Sequence, residues 1–222
     1  MTPGFARADN SLLSRWWWTI DRWTLAALLL LVGVGAVMAM AATPPVAEKL
    51  GLDPFYFVRR QMSLLPIAVA IMLGTSLMDL PAIRRLAAIV LLASVVLLAA
   101  TFVAGAEIKG ARRWINLPGF SLQPSEFVKP SFAVISAWLF ALQRRRVGTP
   151  GDLIALLLYA VVLGLLLLQP DVGMAIVVSA IWFAQYFLAG LRILWVIALG
   201  GAGAAALAGA YFVFPHVQSR IN

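Results

Sequence analysis

Gly110-Ala111-Arg112-Arg113-Trp114-Ile115-Asn116-Leu117-Pro118-Gly119-Phe120-Ser121-Leu122-Gln123-Pro124-Ser125-Glu126-Phe127-Val128-Lys129 interrupts a chain that otherwise runs in apolar blocks. Three cations, a carboxylate, a Gln, a Trp and two prolines fall within these twenty residues, and a hydrophobic helix follows at once. In lipid a charge needs a partner, a water-filled cavity or a ligand, so an ionisable cluster at the mouth of a helix marks a candidate functional site.

The composition around this stretch decides the class. Of the 222 residues 63% are hydrophobic and 12% charged, with a mean hydropathy of +0.95, leaving too little polar surface to cover a soluble globule. A spanning helix needs about 20 apolar residues. The expected fold is therefore all-α: one polytopic transmembrane helix bundle with about seven spans. Cysteine is absent and His216 is the single histidine, which excludes disulfide frameworks, thiolate metal sites and His-rich clusters. The net charge of +8 sits mostly on Arg residues flanking apolar blocks, where they serve topology and anionic headgroups rather than nucleic acid.

Outward from the polar stretch, spans are predicted at residues 25–42, 61–77, 86–103, 124–146, 153–168, 172–188 and 193–214. Residues 1–23 read as a cytoplasmic interfacial segment, because Arg15, Trp16, Trp17, Trp18, Asp21, Arg22 and Trp23 are the amphipathic aromatics and charges of the headgroup level. The first apolar run is too long, and begins too late, for a cleavable signal. Pro44 and Pro45 stop the first span. The whole of 1–222 is read as a single membrane domain, with the bundle at 24–214, an outer loop at 104–123 and the start of a truncated outer loop at 215–222. Cations divide almost evenly between the two sides, so the orientation rests on the run Arg144-Arg145-Arg146, the strongest cytoplasmic marker in the sequence.

Two readings of the polar stretch stand open on the residues alone. Pro124 suits the first helical position, which makes Gln123 the N-cap and places Glu126 where its carboxylate can reach back to the cap or pair with Lys129 one turn on. That arrangement is purely structural. It gives Arg112, Arg113 and Trp114 no reason to lie beside it, whereas an anionic, sugar-bearing lipid does: cations neutralise phosphate, Trp stacks on a sugar or an acyl chain, and Gln or a carboxylate fixes hydroxyls. Asp171, in Gln169-Pro170-Asp171, can cap the sixth span or add a second carboxylate to the same cavity.

The motifs Gly110-Ala111-Arg112-Arg113-Trp114-Ile115, Gln123-Pro124-Ser125-Glu126-Phe127-Val128-Lys129 and Gln169-Pro170-Asp171-Val172-Gly173 resemble, in order, the signatures of the SEDS family (shape, elongation, division and sporulation). The segment 15–23 and the loop at 52–57 look more like its division branch than its elongation branch. The resemblance implies a bacterial inner-membrane glycosyltransferase of about ten spans, with a cytoplasmic N-terminus and a place at the division septum, that polymerises lipid II into peptidoglycan. It expels undecaprenyl pyrophosphate and works with a class B penicillin-binding transpeptidase and division proteins. By motif position, Trp114, Gln123, Glu126, Lys129 and Asp171 would line an outer substrate cavity, with Arg113 on phosphate; the cofactor to expect is a divalent cation such as magnesium or manganese, or none. The family's catalytic Asp belongs to a His-Thr-Asp-Phe type motif that would lie beyond Asn222, so the chain alone is expected to be inactive. A lipid II flippase and a membrane scaffold for division proteins are the competing expectations.

Overall fold

The computed structural model describes residues 11–108, 111–117, 120–145 and 148–190, with scattered helical positions between 194 and 209. Most of the span predicted at 193–214, and His216, lie outside the described residues. Two compact units divide the chain, residues 1–83 and 84–222.

In the first unit, α1 (Leu12–Thr19) is capped by Ser11, whose hydroxyl accepts from the Ser14 amide at 3.2 Å. The Trp16 indole donates to Ser76 Oγ at 2.8 Å, tying α1 to the far end of α4 (Tyr56–Ser76). Arg22 lies 5.2 Å from the ring centres of both Trp17 and Trp18, a cation held over aromatic faces. Asp21 starts α2 (Arg22–Ala42) by accepting from the Trp23 amide and from Thr24 Oγ1. The paired prolines end α2 as expected, but they also open a short helix, α3 (Pro44–Lys49), since proline lacks a donor that the first turn does not need.

The second unit opens within α5 (Leu80–Ala104) and continues through β1 (Ala106–Ile108), β2 (Ala111–Leu117), β3 (Phe120–Leu122), α6 (Pro124–Arg144), α7 (Gly151–Leu168) and α8 (Val172–Leu188). Among the described residues five helices are long and apolar enough to cross a membrane, and α8 is a shorter apolar one. The predicted outer loop is itself folded: β1, β2 and β3 form an antiparallel ribbon in that order, which helical periodicity did not announce.

The core of this unit is a stripe on α6 (Val128, Phe132, Ile135, Leu139) packed against Leu91 and Leu98 of α5, Ala155, Val162 and Leu166 of α7, and Ala175, Val178 and Trp182 of α8. The 4-3-4 spacing on α6 keeps its four residues on one face. Lipid tails are as apolar as these side chains, so packing and interhelical hydrogen bonds hold the bundle rather than exclusion of water. Ser136 Oγ donates to Gln185 Oε1 at 2.6 Å, Gln185 Nε2 to the Ala133 carbonyl at 2.9 Å, and the Trp182 indole to the Ala155 carbonyl at 3.2 Å.

α6, α7 and α8 run alternately down, up and down, so their Pro124, Leu168 and Val172 ends share one face of the unit and Arg144, Gly151 and Leu188 the other. At the latter, Arg144 joins all three: its Nε donates to the Ala189 carbonyl at 2.5 Å and its Nη1 meets Asp152 Oδ2 at 3.3 Å. Gly151 lets α7 start hard against α6, because a Cβ there would overlap the Leu139 carbonyl. Pro130 sits one turn inside α6 and has no amide to offer the carbonyl of Glu126.

Candidate functional site

The end of the second unit marked by Pro124, Leu168 and Val172 carries four of the six residues singled out from the sequence, Gln123, Glu126, Lys129 and Asp171, and the ribbon leading into α6 carries Arg113 and Trp114. In β2 the register slips by one: Glu107 faces Arg112 and Ala106 faces Trp114, leaving Arg113 as an extra, unopposed residue. A bulge of this kind bends a strand and re-aims a side chain. Here the re-aimed side chain is Arg113. Its Nε donates to the Gln169 carbonyl at 3.3 Å, its Nη2 to the Pro170 carbonyl at 2.5 Å, and its Nη1 lies 3.4 Å from Asp171 Oδ1. The bulged strand is thereby clamped onto the turn between α7 and α8.

That turn is deeply buried, with Gln169 3% and Asp171 5% exposed. Gln169 Nε2 donates to the Leu98 carbonyl at 2.9 Å and to Thr101 Oγ1, which fastens the turn to the last part of α5. Asp171 caps α8, accepting from the Met174 amide at 3.4 Å. Two acceptors there, Gln169 Oε1 and Asp171 Oδ2, are buried and have no hydrogen-bond partner among the described residues. Such groups are costly to leave unsatisfied, so each is a ready acceptor for a hydroxyl, an amide or a cation. Among the described residues three of the five guanidinium N–H groups of Arg113 are engaged, which leaves two for an anion.

A second pair stands at the mouth of α6. Gln123 is the N-cap residue, yet its side chain makes no capping bond and donates instead to Ser125 Oγ at 3.0 Å. Glu126 does not reach back to the cap; it takes Lys129 Nζ at 2.7 Å, with the carboxylate half-exposed and the ammonium a quarter exposed. Among the described residues no hydrogen bond or ion pair joins Glu126 and Lys129 to Arg113 and Asp171. Trp114 is half-buried in β2 beside Arg113. Arg112 is exposed, and its Nη1 donates to the Phe102 carbonyl at 3.4 Å.

Gln169 was not among the residues singled out from the sequence, although it holds the turn and opens a Gln-Pro-acid stretch like that of Gln123-Pro124-Ser125-Glu126. The repeated Gln-Pro-acid pattern was the available signal. Its partners, Leu98 and Thr101, are 71 and 68 residues away, so only the folded chain reveals them.

Residues 22–222 match a family model described as cell cycle protein, FtsW/RodA/SpoVE. The chain is 40% identical over its full length to a probable peptidoglycan glycosyltransferase FtsW of Caulobacter vibrioides, covering 57% of that protein. It is 32% identical, over 91% of its length, to the corresponding protein of Trichlorobacter lovleyi, covering 54% of it. The chain thus spans a little over half the length of these relatives. Among solved structures it resembles a point mutant of the Thermus thermophilus rod shape determining protein RodA, with a TM-score of 0.65 and 32% identity over 82% of this chain and 58% of that one. It also resembles a chain from a study of polymerization and crosslinking by a peptidoglycan synthase complex, with a TM-score of 0.66 and 29% identity over 92% of this chain and 59% of that one.

Proposed function

The chain belongs to the FtsW/RodA/SpoVE family of cell cycle proteins, and from that premise we propose that it forms part of a peptidoglycan glycosyltransferase that polymerises lipid II during bacterial division. It is a multi-pass membrane protein. The observation that carries the reading is the clamp of Arg113 on a buried turn whose Asp171 Oδ2 and Gln169 Oε1 have no partner among the described residues, at the same end of the helices as the half-exposed Glu126–Lys129 pair. A pyrophosphate-linked sugar needs cations for phosphate and acceptors for hydroxyls, and both kinds of group are available at this end. Lys129 has two N–H groups left after Glu126 takes one, and Glu126 keeps the ammonium charged and aimed.

In this reading the segment binds and orients substrate while the proton-abstracting carboxylate comes from an Asp outside these 222 residues. We assign Arg113 and Lys129 to phosphate, Trp114 to the sugar or the polyprenyl chain, and Gln123, Glu126 and Asp171 to hydroxyls. A divalent cation such as magnesium or manganese would supply charge neutralisation at the pyrophosphate. Among the described residues no group of three or more His, Cys, Asp or Glu gathers to hold one, so Asp171 Oδ2 and Gln169 Oε1 would give it at most part of a shell, the remainder coming from phosphate oxygens and water. The enzyme would work beside a penicillin-binding transpeptidase at the septum, with the N-terminus and the Arg144 end in the cytoplasm.

Binding of lipid II to the chain in lipid nanodiscs tests the proposal. Saturable binding is expected, weakened about tenfold by Lys129→Ala through loss of a charge-assisted contact. Equal binding by both chains, or movement of lipid II across a vesicle membrane without polymer from the full-length protein, would count against it, the latter in favour of a flippase.

A further inference from the structure

An open cavity of about 510 Å³ lies in the first unit, lined by none of the residues assigned above. Thr43, at the end of α2, and Val46 of α3 form one wall, and Phe57, Arg60, Gln61 and Leu64 of α4 the other. Its chemistry is divided. Val46, Phe57 and Leu64 offer apolar surface, while Arg60 and Gln61 are successive polar residues in the second turn of a helix long and apolar enough to span a bilayer. Arg60 is four residues from the start of α4, so at 1.5 Å per residue its Cα is about 6 Å along the helix, near the depth of headgroups and glycerol.

The two neighbouring arginines are used differently. Arg59 Nη2 pairs with Asp53 at 3.1 Å. Among the described residues the guanidinium of Arg60 and the side-chain amide of Gln61 have no hydrogen-bonding or acidic partner, and none of the six lining residues is acidic. An unpaired cation and an unpaired amide beside an apolar cleft at the membrane interface match an amphiphile with one negative charge.

We propose that this cavity is a binding site for an anionic phospholipid, with the phosphodiester on Arg60 and Gln61 and an acyl chain along Val46, Phe57 and Leu64. One free guanidinium balances a phosphodiester monoanion and falls short of a pyrophosphate, which separates this site from the one proposed for substrate. A zwitterionic lipid would bring a quaternary ammonium to a cavity lined by no carboxylate.

Native mass spectrometry of the chain, released from micelles doped with phosphatidylglycerol or phosphatidylcholine, tests the inference. Retention of one phosphatidylglycerol at about tenfold higher occupancy than phosphatidylcholine is expected, that preference being lost in Arg60→Gln, kept in Arg60→Lys and kept in Arg59→Gln. Leu64→Trp, which fills the cleft and leaves the charge, should also release the lipid. Equal retention of the two lipids, an unchanged preference in Arg60→Gln, or preferential retention of undecaprenyl pyrophosphate would overturn the proposal. So would displacement of the lipid by glycerol phosphate at equal concentration, which would make the ligand a soluble phosphate. None of these readouts depends on glycosyltransferase activity.

Discussion

Arg113 illustrates how one residue can join a strand to a helical turn. Its guanidinium meets two carbonyls and a carboxylate that is only 6% exposed in its side chain, so removing it strands a buried charge. Arg113→Ala should destabilise the protein by about 3 kcal/mol, seen as a lowered midpoint of thermal unfolding in detergent, whereas adding Asp171→Asn should recover much of the loss. Additive losses would show that the two residues are not coupled. Asp21 offers a pH counterpart outside the spans. The Thr24 hydroxyl, then the Trp23 amide, hold its carboxyl below the usual carboxylate value. Its folded pKa is depressed, so the cap contributes fully above the unfolded value and is lost as pH falls through the folded one. In Thr24→Val the carboxyl should titrate at higher pH, read from the carboxyl carbon shift of labelled Asp21.

At the scale of elements, α7 starts in tight contact with α6. Gly151→Ala would drive a methyl into the Leu139 carbonyl and disturb the bond from the Gly151 amide to Gln143 Oε1 at 2.8 Å. A cost of about 1–3 kcal/mol is expected in the same unfolding assay, while Gly164→Ala, where a Cβ meets open space, should cost nothing measurable. Elements were also where the sequence was most legible. The bounds of α8 follow from Pro170 and Asp171, a helix stop followed by a cap, and α6 opens at Pro124 for the same kind of reason. By contrast α4 begins at Tyr56 and α5 at Leu80, earlier than the apolar runs suggest, because a helix continues into polar residues at the interface while hydropathy reports only the part in hydrocarbon. The ribbon and its bulge were hidden because strand register depends on the partner strand. Which polar residues belong at the mouth of α6 was legible from their density; which of them touch was not.

For the molecule as a whole, the expected orientation can be tested cleanly because the chain contains no cysteine. Thr149→Cys, between α6 and α7, should react with an impermeant maleimide only when the cytoplasmic face is open, and Ser121→Cys, in β3, only from the opposite face. Both reacting from one side would mean that α6 does not cross the bilayer. The alternation of α6, α7 and α8 makes the two positions a matched pair.

Pro130 leaves the Glu126 carbonyl without its helical donor, and Ser131 Oγ adds a bond of 2.5 Å to the carbonyl of Phe127 next to it. The opening turn of α6 is therefore joined to the rest by a softened rung. Val128 and Ser125 still seat the buried face of that turn, so the missing bond permits a small bend at Pro130 that carries Glu126 and Lys129 together, as a hinge lets a plate tilt without leaving its frame.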